Sequence, residues 1–409
     1  MVSISGKSIC IVYFINTTQV LHVVFDRYYE MSIKSYCRTE RAKGYSRVYK
    51  LTEHSPLPKQ AITLGTTANK EQIIKLIVEK LRLQQVPEGK KVIVTGPEAS
   101  PIDIGTGVQE KPVTHEEADV LLAYHMINEA VAGHSPIKVV SEDTDVLVIL
   151  AHHMYMHTNN MPDAIEVFME SCSGNRSVID VNKVVEKHSK VMTNILAAHA
   201  LTGCDTVSSL AGIGKTTVLK KLETFKEILK LGEPSDSLDD VMDSCLKYAA
   251  SLYGQKDGES LDTMRSVIFT RKIGGKRHVA PKLSSLPPTM AAFKLHCARA
   301  HYQTMLWKSA GVPSPSHLDP QEFGWEKMSS ILQPIYLTKG QLIAPMEVLS
   351  LIRCGCKTGC KSAHCSCAKY VLACTEFCAC RGDQGCGNPT KQCEDTSDCT
   401  EEEVEDDCD

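Results

Sequence analysis

Eight acidic residues stand where they can act together: Asp26, Glu116, Glu117, Asp119, Glu142, Asp143, Asp145 and Asp205. Carboxylates are hard oxygen ligands, and several together suit Mg²⁺ or Mn²⁺. The densest group interrupts the apolar run VVSEDTDVLVIL at 139–150. Unpaired carboxylates are expensive to bury, so either this strand ends in a site that uses negative charge or the strand reading is wrong. Asp143 and Asp145 are two apart, which puts both on one face of a strand and turns Glu142 to the other. For any single acid, a solvated Asx-rich turn is the plainer reading.

A second chemistry sits near the end of the chain. Of 18 cysteines, twelve fall between 354 and 408, and nine of those form the run Cys354, Cys356, Cys360, Cys365, Cys367, Cys374, Cys378, Cys380 and Cys386. Repeated C-x-C pairs favour shared metal ions over disulfides and point to a reducing compartment. Bridging thiolates in a small zinc cluster would give each ion four sulfurs. So small a module has almost no apolar core and takes its folding energy from the metal. Cys393, Cys399 and Cys408 lie outside this spacing and receive no role.

Other residues carry weaker signals. Lys34, Arg38 and Arg41 recur at helical spacing, so a helix over 32–43 gathers them on one side. The GIGKTT string at 212–217 lacks the glycine that a nucleotide-binding loop needs at 209, where Ser209 stands. Gly212 and Gly214 instead permit a short hairpin whose backbone N–H groups, with Lys215, can hold a nucleic-acid phosphate. His152 and His153 follow the acidic run with no partner at ligand spacing and are read as surface or supporting residues. Trp307 and Trp325 are read as packing rather than base-stacking residues.

These residues need elements to position them. Strands are expected at 20–26, 91–96 and through the acidic run to 150, with a further apolar strand at 9–15. Helices are expected at 68–86, at 114–130 behind a Thr114–Glu117 capping box, over 183–202 leading into 217–235, at 238–253 and at 289–305. Alternation of helix and strand predicts an α/β fold with a mostly parallel sheet flanked by helices. The expected division is a first domain at 1–265, a connecting segment at 266–351, the cysteine module at 352–388 and a disordered acidic tail at 389–409.

The chain has 409 residues, 43% hydrophobic and 23% charged, enough for more than one domain with a real core. No run reaches the 18 apolar residues of a transmembrane helix. The net charge of −4 hides an asymmetry. Residues 394–409 hold ten acidic side chains and no Lys or Arg. Without them the rest carries about +6, a balance that fits a protein handling nucleic acid and equally a solubilising tail.

On these motifs the chain resembles the flap-endonuclease-like nucleases of the PIN superfamily. VVFDRYYEMSIKSYCRTERAKG resembles their strand-end Asp and basic helix, EEAD and SEDTD their two acidic pairs, and LTGCDTVSSLAGIGKTTVLKKL their last metal Asp followed by a helix-hairpin-helix. The resemblance covers roughly 20–235. It implies Asp26, Glu117, Asp119, Asp143, Asp145 and Asp205 as holders of two Mg²⁺ or Mn²⁺ ions for phosphodiester hydrolysis. It implies Lys34, Arg38 and Arg41 as a phosphate clamp, and Gly212, Gly214 and Lys215 as hairpin contacts to nucleic acid. These nucleases carry one more metal Asp on an earlier strand. Residues 1–25 contain no Asp or Glu, so the ligand set is short by one.

The cysteine run resembles the CXC domain of tesmin and TSO1-like proteins, which binds zinc and DNA. It departs by a shorter first spacer, a longer last one, a single repeat, and His364 at a DNA-contacting Tyr position. Together the two resemblances imply a nuclear protein of mobile-element type with DNA as partner, RNA as a second choice and no membrane. Two function classes stay open: metal-dependent cleavage of structured DNA, and non-catalytic DNA or chromatin binding on a degenerate nuclease fold.

Overall fold

Strand β2 (Val20–Val24) is VLHVV, and its last four residues are buried, as expected of a strand covered on both faces. The computed structural model describes residues 2–3, 18–29, 31–42, 47–56, 59–96, 98–162, 165–171, 177–254, 260–273, 283–329, 331–336, 353–357, 360–361, 365–369, 372–382 and 386–388. The apolar stretch expected as a strand at 9–15 and the acidic tail lie outside them, as do His364, Cys393, Cys399 and Cys408.

Seven strands form one sheet in the order β4-β3-β2-β1-β5-β6-β7. They are β1 (Val2–Ser3), β2, β3 (Lys91–Thr95), β4 (Ile102–Asp103), β5 (Ile137–Val140), β6 (Val167–Glu170) and β7 (Val178–Asp180). The five central strands run parallel and the two edge strands antiparallel. In register, Val23 lies opposite Val94, and Val140 opposite Glu170. The mixed α/β architecture with helices flanking the sheet follows the sequence expectation.

Helix α1 (Ser35–Ala42) follows β2, and a short turn of helix α2 (Gln60–Thr63) precedes α3 (Thr67–Arg82). Thr66 caps α3 by accepting the Asn69 N–H. Ile74, Val78 and Leu81 of α3 pack on Leu21, Val23, Val92 and Val94 of the sheet. Helices α4 (Ala118–Val131) and α5 (Thr144–His157) pack against each other, with α4 also against β2 and β5.

The acidic run corrects one expectation. β5 ends at Val140, and the apolar residues after Asp145 belong to α5, not to the strand. Asp143 is the cap of that helix: its Oδ1 accepts the Asp145 N–H at 2.9 Å. The run 183–202 also divides, into α6 (Val181–Lys187), a 3₁₀ turn and α7 (Ile195–Leu201). Helices α8 (Lys215–Leu222) and α9 (Leu238–Leu252) follow.

The chain separates into two compact units, Met1–Leu252 with Phe293–Tyr336, and Tyr253–Ala292 with Leu337–Asp409. The stretch 266–351 expected as a connector is therefore divided between them. Its larger described part consists of α11 (Met290–Lys308) and the hairpin β8 (Trp325–Met328) and β9 (Ile331–Pro334). From Phe293 onward these residues belong to the first unit, and most of α11, polar His296, His301, Gln303 and Thr304 included, is buried. Ile33 packs with Tyr302 and Met305 of α11 and with Trp325 and Leu332 of the hairpin. In the second unit, α10 (Leu261–Ile273) contributes Phe269, which with Leu286 packs directly on the cysteines. A single short helix, α12 (Ser366–Lys369), is described within the module itself.

Candidate functional site

The carboxylates collect at the carboxyl edge of the parallel strands, where ligands of open α/β sheets bind. Asp26 follows β2 by two residues, and its Oδ1 accepts the Ala118 N–H at 2.9 Å. That bond satisfies the start of α4, so the cap comes from another segment and not from the expected Thr114–Glu117 box. Glu117 is the N-cap residue of α4 and Asp119 lies in its first turn. Asp143 and Asp145 begin α5, and Asp205 follows α7.

Lys34, just before α1, and Arg38 and Arg41 within it meet these acids one by one. Lys34 Nζ is 3.3 Å from Glu117 Oε2, Arg38 pairs with Glu116 Oε1 at 3.0 Å, and Arg41 pairs with Asp205 Oδ1 at 3.0 Å. The Arg38 N–H donates to Lys34 O, which keeps Lys34 on the same helical face. The hairpin holds this helix in place: Ser35 Oγ and the backbone of Leu332 bond to each other.

The pairing shifts the charges of the groups involved. Removal from water works against the Lys34 charge, but Glu117, then Asp119, Asp26 and Asp205, overcome it and hold the ammonium above its ordinary value. Removal from water also pushes the Asp119 carboxyl up to about 8; Lys34 opposes the rise, while Glu117, Asp26 and Asp143 add to it. Asp26, Glu117, Asp119, Asp143 and Asp205 thus act on Lys34 or Asp119, and Lys34 in turn helps to lower Asp145. Glu142 leaves it: its Oε1 accepts from Ser171 Oγ at 2.8 Å.

Sequence reading missed three supports. His199 Nε2 lies 2.7 Å from Asp145 Oδ1. Gln303 Nε2 reaches Glu117 Oε1 at 3.4 Å, while its own Oε1 accepts from Thr206 Oγ1 at 2.6 Å. Ser32 Oγ donates to Glu116 Oε1 at 2.6 Å. His199 is a lone polar residue in the apolar ILAAHAL, and its position six residues before Asp205 was the available cue. Gln303 had none, being in the supposed connector.

Other expectations are corrected. His152 and His153 are buried, donating to Met192 O at 2.9 Å and Trp307 O at 2.8 Å, because α5 is a core helix and not a surface one. Lys215 Nζ donates to His199 O at 2.8 Å, Thr202 Oγ1 at 3.1 Å and Gly203 O at 2.6 Å. It closes the end of α7, where free carbonyls attract a cation, and is not held out for a phosphate. Gly212 has a φ of 74°, the left-handed turn that its glycine permits. Gly214 precedes α8 as its N-cap. Trp307 and Trp325 are buried, as read.

In the second unit the nine expected cysteines come together. Four sets of four have all their sulfurs within 4.8 Å of one another, and every one of the nine belongs to at least one set. Cys354 and Cys374 each belong to three, so the sets overlap. Neighbouring sulfurs stand 3.8 Å apart for Cys354 with Cys360 and with Cys374, and 3.7 Å for Cys354 with Cys380. Asn388 Nδ2 donates to Leu372 O and to Cys374 Sγ, closing the module's end. These donor sets fit metal ions bound by four thiolates.

No family model matches the chain, and no curated protein matches it. Among solved structures it is similar to a crystal structure of the T5 D15 protein co-crystallised with metal ions, with 14% identity and a TM-score of 0.32, over 74% of this chain and 88% of that one. No helix among the described residues is long and apolar enough to cross a membrane.

Proposed function

We propose that the first unit is a divalent-metal-dependent phosphodiesterase acting on structured DNA, and that the cysteine module binds zinc and helps hold the nucleic acid. One observation carries the first reading. Four separate segments deliver Asp26, Glu117 with Asp119, Asp143 with Asp145, and Asp205 to one neighbourhood at the carboxyl edge of the sheet. The donor set is all carboxylate, and removal from water, with Glu117, Asp26 and Asp143 adding to it, pushes the Asp119 pKa up to about 8. Both features fit Mg²⁺ or Mn²⁺.

Such ions supply Lewis acidity toward a phosphoryl oxygen and activate water for in-line attack. The chain's own part is placement. Asp143 and Asp145 are fixed by the start of α5, and Asp26 by its bond to α4. Arg38 and Arg41 face the same site from α1 and can turn from their acid partners to phosphate oxygens. Backbone N–H groups around Gly212 and Gly214 would hold a phosphate further along the strand without reading sequence.

For the module, sulfurs on one tetrahedral zinc at about 2.3 Å lie about 3.8 Å apart, which is the spacing found. A nuclear protein whose main partner is DNA, with RNA as a second substrate and a mobile-element ancestry, is part of the same reading.

The Lys34–Glu117 pair favours a second reading, a nucleic-acid-binding protein on a nuclease-like fold that does not cut. The test is cleavage of labelled flap, hairpin and single-stranded DNA in Mg²⁺ or Mn²⁺, beside an Asp143→Asn/Asp145→Asn double variant. Metal-dependent cutting lost in the variant supports the enzyme. Retention of DNA with no cutting by folded, zinc-loaded protein leaves the binding protein.

A further inference from the structure

Lys34 is placed within the acid set by several independent contacts. Its backbone N–H donates to Ser32 Oγ at 3.0 Å, and its carbonyl accepts from Arg38 at the start of α1. Its neighbour Ile33 is clamped between α11 and the hairpin. The ammonium meets Glu117 Oε2, and the other oxygen of that carboxylate meets Gln303. Both oxygens of Glu117 are thus taken by the chain's own donors. The two side chains of the pair are 17% and 6% exposed, so water replaces little of this contact.

A buried carboxylate needs a partner charge, and removing it is destabilising. We propose that Lys34 is a built-in counter-ion for the carboxylate set, competing with a divalent ion for Glu117 and leaving that carboxylate when the ion enters. This rests on the reading that the carboxylates hold divalent ions. It gives Lys34 a role distinct from a phosphate clamp. The lysine allows the acids to fold together without metal, and it weakens metal binding because its charge repels the incoming ion.

The test is Mn²⁺ binding by the zinc-loaded full chain, followed by the electron paramagnetic resonance of free Mn²⁺, for the wild type, Lys34→Met and Lys34→Arg. Lys34→Met should bind Mn²⁺ at least tenfold more tightly. Without added divalent ion it should melt below the wild type, with the gap closing as Mn²⁺ saturates. Lys34→Arg, which keeps the charge, should resemble the wild type. A second measurement needs no variant: acetic anhydride should label Lys34 several-fold faster once Mn²⁺ is bound, as read by mass spectrometry. Binding in Lys34→Met that is no tighter than in wild type, or labelling unchanged by Mn²⁺, overturns the counter-ion role alone. Absence of Mn²⁺ binding in every form overturns the metal reading of the carboxylates and the counter-ion role with it.

Discussion

His199 and Asp145 meet at 2.7 Å across 54 residues of sequence, joining the end of α7 to the first turn of α5. Removal from water tends to raise the Asp145 carboxyl, and the His199 bond, with help from Lys34 and Lys215, holds it below its usual value. The same histidine's carbonyl accepts from Lys215 at the base of α8. His199→Ala leaves a half-buried carboxylate without this donor. It should cost about 1–3 kcal/mol in urea unfolding and about ten- to a hundredfold in Mn²⁺ affinity. His199→Gln, which retains a donor, should recover much of both. Unchanged Mn²⁺ affinity in the alanine variant would make the contact purely structural.

Asp143 carries two separable roles. As N-cap it accepts the Asp145 N–H; as a carboxylate it adds charge to the site. Asp143→Asn preserves the capping oxygen and removes the charge, so its melting temperature should stay within a degree or two of wild type or rise. Asp143→Ala should lose about 0.5–2 kcal/mol. Both should bind Mn²⁺ more weakly. Equal stability of the alanine and wild-type proteins would show that α5 does not depend on this cap.

That helix also shows what a sequence can reveal here. The order of the four acidic segments was legible because strand ends and helix starts recur as short polar breaks in apolar runs. The boundary between β5 and α5 was not. Both elements are buried, so the run on either side of SEDT is apolar without a clear period. His152 and His153 were misplaced for the same reason: on a core helix the polar residue finds a backbone carbonyl, which no spacing rule announces. Gln303 was invisible because its partners, Glu117 and Thr206, are about a hundred or more residues away. The cysteine module was the opposite case. Its cysteines are local in sequence, so spacing alone picked out the nine whose sulfurs cluster.

The buried histidines set an acid limit. Burial holds His152 and His296 down to about 4 and His153 down to about 3, each donating to a backbone carbonyl as a neutral ring. Unfolded, each takes up a proton near pH 6.5. Between there and the folded values the unfolded chain binds more protons, so each loses the native state on the order of 1.4 kcal/mol per pH unit as pH falls. Asp119, up to about 8 when folded, acts in reverse: the native state holds its proton longer, and stability falls as pH rises from about 4 to about 8. Three groups outweigh one below pH 6.5. Urea midpoints of metal-free protein should therefore peak near pH 6.5, fall steeply on the acid side and gently toward pH 8. A flat profile from 4 to 6.5 would mean that these histidines are solvated.

Chelation should separate the two units. The cysteine module packs Phe269 and Leu286 on its sulfurs and has few other apolar groups, so on the proposed zinc reading the metal would supply most of its stability. Stripping zinc should expose 353–388 to rapid proteolysis while the first unit keeps its melting transition. Cobalt refilling should give thiolate-to-metal absorption, with more than one ion per chain because the sulfur sets overlap. One ion per chain would show that the shared cysteines do not bridge.

Arg27 fixes the strand-end Asp26 in its place. Its guanidinium is buried and donates to the carbonyls of Val113, His115, Glu98 and Ala99, while its backbone N–H donates to Glu116 O. One residue thereby ties the end of β2 to both loops that lead to Glu117. Arg27→Met keeps the stem but leaves those carbonyls without their donor, so a loss of at least about 1–3 kcal/mol is expected. Arg27→Lys should fall between, since an ammonium cannot span two loops as a planar fork does. Exposed Arg82→Met should stay within about 0.5 kcal/mol of wild type. Mn²⁺ affinity, measured at temperatures where each variant is folded, should fall in the same order as stability, because Asp26 and Glu117 both depend on that anchor. Full Mn²⁺ affinity in a folded but destabilised Arg27→Met protein would show that the acids are placed without it.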